Sequence, residues 1–150
     1  MAKFTTRRRI NAPRSRVFAV FTDFASAGDR IRGIKSLEVL TDGPVGSGTR
    51  FRETREMFGK EATEEMEITV FEPDARYRVE AESHGCKYLT TFEFEERDGA
   101  TDMTMVFEGV AESLMAKLMT PLAWLLSGAT RKIIEADIDD LQRHCEQDGV

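Results

Sequence analysis

The chain has 150 residues and a mass of 17.0 kDa with 41% hydrophobic residues, the size of one domain over residues 1–150 with one sizeable core. A net charge of -6 and a pI near 5.1 argue against nucleic acid as a partner, because phosphate binding needs clustered positive charge. The opening MAKFTTRRRI lacks the apolar core of a signal peptide, and no segment reaches the roughly 20 apolar residues of a spanning helix, so a cytoplasmic protein is expected.

Residues 3–10 read as a strand with Phe4, Thr6, Arg8 and Ile10 on one face. Alternation splits Arg7-Arg8-Arg9 between two faces, which suits a solvated edge better than a nucleic-acid patch. Asn11-Ala12-Pro13 ends the strand, and Pro13 opens a short helix that turns Val17, Val20 and Phe21 inward. A second helical turn is expected over 24–31, stopped by Gly33. Residues 35–41 form the next strand, and Asp42-Gly43-Pro44 with Gly46 and Gly48 make a turn region.

Strand patterns follow at 49–57, 61–71, 76–83, 87–95 and 102–110, with short turns between them that predict an antiparallel sheet. Asp98-Gly99 is a strong hairpin signal. The period of two places Met66, Ile68 and Val70, then Tyr77, Val79 and Ala81, then Tyr88, Phe92 and Phe94, then Met103, Met105 and Phe107 on one apolar face. The other face is wet.

A long helical pattern runs from about Ala111 to Gln147. Its second half repeats Ile134, Ile138, Leu141 and Cys145 on one face, with Asp137, Asp139, Asp140, Gln142 and Arg143 expected to be the wet opposite side. Its first half carries no charge over 118–130 and needs cover on most sides. A break is expected at Pro121, with Thr120 as N-cap. This helix is the only element long and apolar enough to cover the sheet.

The order of elements, with Ala12-Pro13-x-x-x-Val17-Phe18, Thr22-Asp23-Phe24, Gly33-Ile34-Lys35-Ser36-Leu37-Glu38-Val39, Gly46-x-Gly48-Thr49-Arg50-Phe51 and Gly99-Ala100-Thr101, resembles the START-like (SRPBCC) superfamily, closest to its polyketide cyclase/dehydrase-like branch. The resemblance covers essentially the whole chain. It implies an α+β helix-grip fold, in which a curved antiparallel sheet of six or seven strands wraps a long C-terminal helix. It also implies a cavity between them for a small hydrophobic or amphipathic molecule, lipid- or polyketide-like. Members often carry Trp-x-Pro-Gly where this chain has Arg30-Ile31-Arg32-Gly33, so the entrance beside the second helix is expected to differ.

Strand three holds the chief anomaly: alternation from Phe51 puts Glu53, Arg55 and Met57 on the covered face, with Glu64 of the next strand and Arg8 of the first. Charge there is costly unless paired or wet. One reading makes Glu53, Arg55 and Glu64 the polar floor of a pocket walled by Phe51, Met66, Tyr88, Thr90, Phe92, Met103, Met105 and Phe107, with Leu122 and Leu126 from the helix. The other has a bulge or a slipped register turn the charges to solvent. A desolvated Glu and an Arg suit proton transfer and enolate binding, so an enzyme using Glu53, Arg55, Glu64 and Tyr88, of cyclase, dehydratase or aromatase type, is the alternative to a binding protein. A partner-binding module is a third.

His84 and Cys86 flank Gly85 without an orienting third group and read as turn residues. Cys86 and Cys145 have neither metal nor disulfide-framework spacing, and neither metal nor any other cofactor is expected. Met103, Met105, Met115 and Met119 suit either an adaptable pocket or plain core filling. The stretch 114–129 serves as lid and cavity wall, or presents Trp124 and Leu125 to the second subunit of a homodimer or to a membrane surface.

Overall fold

A computed structural model describes residues 2–57, 59–83, 85–112 and 128–147. In chain order these form β1 (Ala2–Ile10), α1 (Arg14–Phe21), a 3-10 turn (Phe24–Ser26), α2 (Ala27–Arg30), β2 (Ile34–Val39), β3 (Arg50–Met57), β4 (Lys60–Glu72), β5 (Arg76–Ser83), β6 (Cys86–Arg97), β7 (Ala100–Ala111) and α3 (Gly128–Gln147). The seven strands make one antiparallel sheet in the order β1-β7-β6-β5-β4-β3-β2, and the sheet is curved. From β2 to β7 each strand pairs with its successor, as short turns dictate, and β1 closes on β7.

Local chemistry accounts for the punctuation. Pro13 sits extended at the N-cap of α1, where its missing N–H is no loss. The Thr22 hydroxyl donates to Phe18 O at 2.7 Å and closes the helix. Between β6 and β7, Asp98 and Gly99 both take positive φ, 55° and 79°, the backbone of a two-residue turn that matches strand twist.

Three layers of contact build the core. Phe18 from α1 meets Phe71, Tyr77 and Phe94 edge-on, with ring centroids 5.3 to 5.9 Å apart. Phe24 stacks on Phe51 at 4.5 Å, seating the 3-10 turn on β3. Ile138, Leu141 and Cys145 of α3 are buried against the same cluster, with Ile134 at its margin.

Two expectations need correcting here. Val70 does not share the inner face, because the ladder between β4 and β5 shifts between Ile68 and Val70. Ile68 opposes Val79, but Phe71 then opposes the buried Tyr77, so Thr69 is the extra residue of a bulge and Phe71 takes the inward place. The long helix does not begin near Ala111: that residue ends β7 opposite Cys86, and the Glu112 N–H donates to Gly85 O at 2.9 Å. The expected break at Pro121, the Thr120 cap, Leu122, Leu126, Met115, Met119, His84 and most of the proposed dimer stretch lie outside the described residues.

Candidate functional site

The inner face can be followed as rows of side chains running across the strands. One row, Phe71, Tyr77, Phe92, Met105 and Thr6, lies nearest α1, and Phe21 packs edge-on against Phe92. The next is Ile68, Val79, Thr90, Phe107 and Phe4, and the one beyond it Phe51, Met66, Ala81, Tyr88 and Gly109. Burial divides them. Phe51, Ile68, Tyr77, Phe94, Met103 and Met105 are closed off. Met66, Val79, Ala81, Tyr88, Thr90, Phe107 and Phe4 remain partly open, a contiguous strip in the middle of the sheet, and Phe71 and Phe92 in the row beside it are also partly open. Within it Phe107 packs on Phe4 at 5.4 Å and lies nearly parallel to Tyr88 at 6.2 Å.

Beside this strip the charges of β3 do turn inward. Arg55 donates from Nε to Glu53 at 2.7 Å and from Nη2 to Asp137 of α3 at 3.0 Å, and its side chain is only 12% exposed. Glu53 and Asp137 are little more open, so the three charges share a poorly solvated place. Burial opposes the charge on Arg55, but Asp137 and Glu53 outweigh it and hold the guanidinium above its ordinary value. Burial pushes Asp137 up to about 6 against the pull of Arg55, helped by Glu53 and Asp140. Gly33 abuts this cluster: a Cβ there would stand 3.4 Å from Asp137 Oδ1 and 3.5 Å from Arg55 Nη1.

Glu64 opposes Glu53 across the ladder and so shares its face, yet it is exposed to solvent. Burial raises Tyr88 to about 12, with Cys86 and Glu64 adding to the shift, and its hydroxyl stays a proton donor at neutral pH. On the β1 side, Arg8 pairs with Asp139, the Thr6 hydroxyl donates to Glu135 at 3.4 Å, and the Arg131 guanidinium lies 5.1 Å over the Phe4 ring.

The expectation of a wet face holds for Asp139, which is exposed while paired with Arg8, and is corrected for Asp137 and Asp140. Asp140 is 4% exposed: it accepts the Arg32 backbone N–H at 2.9 Å and is gripped by the Arg32 and Arg143 guanidinia. The three aspartates thus tie α3 to β3, to β1 and to the segment after α2. Sequence reasoning missed Asp137 as a site residue. The usable signal was Arg55 itself, an inward cation that needs an anionic partner on whatever covers the sheet.

Cys86 and Cys145 are both buried and free, and among the described residues no group of His, Cys, Asp and Glu is arranged to hold a metal ion. No helix among the described residues is long and apolar enough to cross a membrane.

A seven-stranded curved sheet gripping a C-terminal helix, with two short helices after the first strand, is the α+β helix-grip architecture of START-like proteins. The chain belongs to the family described as polyketide cyclase / dehydrase and lipid transport, whose model matches residues 1–146. Among solved structures it is similar to the Zhui aromatase/cyclase from Streptomyces sp. R1128, with 15% identity, coverage of 97% of this chain and 94% of that one, and a TM-score of 0.80. It is also similar to TTHA0849 from Thermus thermophilus (19% identity, 99% and 100% covered, TM-score 0.78). A START superfamily protein from Mycobacterium smegmatis gives 13% identity, 97% of each chain and 0.76. At these identities the likeness speaks for the fold. No curated protein matches the chain.

Proposed function

We propose that this protein binds a small hydrophobic or amphipathic molecule between the sheet and the C-terminal helix. The observation that carries the reading is the half-open apolar strip of Met66, Val79, Ala81, Tyr88, Thr90, Phe107 and Phe4, bordered by a poorly solvated polar cluster and, on the α1 side, by the closed Tyr77 and Met105. Apolar surface left open on the covered face of a sheet is stabilised by an apolar guest. Family membership supports the same reading, and a lipid- or polyketide-like compound fits the strip's mixture of aromatic rings and hydroxyls.

The test is native mass spectrometry of the protein taken from its own source, followed by organic extraction. A co-purifying small molecule is expected, and Thr90→Trp, which fills the middle of the strip, should abolish its retention while the variant still melts cooperatively. A protein that carries no guest and takes up none from hydrophobic extracts overturns the reading.

A second reading, a cyclisation or dehydration enzyme, draws on Asp137. A carboxyl raised to about 6 beside the Arg55 guanidinium suits proton transfer next to a developing enolate, with Tyr88 as neutral donor. Turnover of the extracted compound, lost in Asp137→Asn with binding retained, supports it; binding without turnover rejects it.

A further inference from the structure

Resting on the binding reading above, we infer that the pocket selects its guest by charge, accepting amphiphiles whose polar end is a neutral hydrogen-bond donor such as a phenol or alcohol and turning away those that end in a carboxylate. The argument begins with what borders the apolar strip. On the β3 side stand Glu53, Arg55 and Asp137. On the β1 side stand Glu135, Arg131 and the Arg8–Asp139 pair. Among the described residues four carboxylates, Glu53, Asp137, Glu135 and Asp139, stand against three guanidinia, an excess of one negative charge when all are ionised.

All three cations are already committed, Arg8 to Asp139. Arg55 spends Nε on Glu53 and Nη1 and Nη2 on Asp137. Arg131 donates to Glu135 and to Thr5 O, each at 3.3 Å, while its plane covers the Phe4 ring. A ligand carboxylate must either break one of these pairs, stranding a half-buried carboxylate, or sit unpaired among like charges. A hydroxyl meets the opposite situation. The carboxylates of Glu53 and Asp137 each keep free lone pairs after serving Arg55, and the Thr90 hydroxyl can give or take a hydrogen bond. Those open acceptors are what a donor-ended guest requires.

A matched pair of fluorescent probes tests this with the full chain: 2-naphthol, a neutral donor, and 2-naphthoate, its carboxylate counterpart, titrated at pH 7.5. Naphthol is expected to bind at least about tenfold tighter, a difference of about 1.4 kcal/mol. Because a carboxylate is also better hydrated, the deciding readout is the change in that ratio in Asp137→Asn and, independently on the sheet side, Glu53→Gln. Each variant should narrow the ratio by improving naphthoate binding severalfold. Equal binding of the two probes by the unmodified protein, or a preference that neither variant moves, overturns the charge assignment while leaving the pocket standing. Failure of both probes to bind overturns the pocket and the selectivity together.

Discussion

Asp137 is held near 6 by burial, against an ordinary value of 3.8, with Arg55, Glu53 and Asp140 facing it. The folded protein therefore holds that proton more tightly than the unfolded chain. The stability from this group is fully present below about pH 3.8 and is lost as pH climbs through about 6, an effect of at most about 3 kcal/mol. In thermal melts, the advantage of the unmodified protein over Asp137→Asn should shrink between pH 4 and 7 and stay level above that. An advantage that grows with pH would mean that Arg55 outweighs burial. Arg55→Ala strands two carboxylates and should cost on the order of 3 kcal/mol or more in denaturant unfolding. Replacing Glu53, Arg55 and Asp137 together by Leu, Met and Leu should restore most of that loss, since the cluster's value lies in pairing and not in charge as such.

The bulge at Thr69 decides which of two adjacent apolar residues enters the core. Phe71→Ala should cost about 3 kcal/mol by removing the ring that meets Phe18, whereas Val70→Ala on the other face should cost less than about 1. Similar losses at both positions would mean that the register slips. Here the limit of reading from sequence is visible. The strands were legible because polar and apolar residues alternate, but across Ile68-Thr69-Val70-Phe71 either of the last two satisfies an apolar slot, so alternation cannot reveal the inserted residue. The same period points Glu53 and Arg55 inward, where they pair with each other and Arg55 pairs with Asp137 of α3. Their partner was not found, because an aspartate on an amphipathic helix looks solvated until the element opposite supplies an arginine. The same ambiguity hid Asp140, whose partner Arg32 lies at the far end of the sequence.

A guest seated on the strip should raise the melting temperature in proportion to the logarithm of its concentration, and the Thr90→Trp protein should show no such rise. The architecture also sets an order of events. Strands β2 to β7 form a meander in which each new strand finds its partner already beside it. β1 is the exception: Ala2 pairs with Gly109 and Ile10 with Thr101, at opposite ends of the sequence, and β1 also supplies Arg8 to α3. During synthesis the first strand must wait, unpaired, until nearly all the others have left the ribosome. Its run of threonines and arginines, with Phe4 and Ile10 as its large apolar side chains, keeps that waiting segment from pairing with itself or a neighbour. Closure of β1 is then the step that covers the free edge of β7 and lets α3 find its arginine on that side, so a strand that precedes the others in the chain is among the last to find its place.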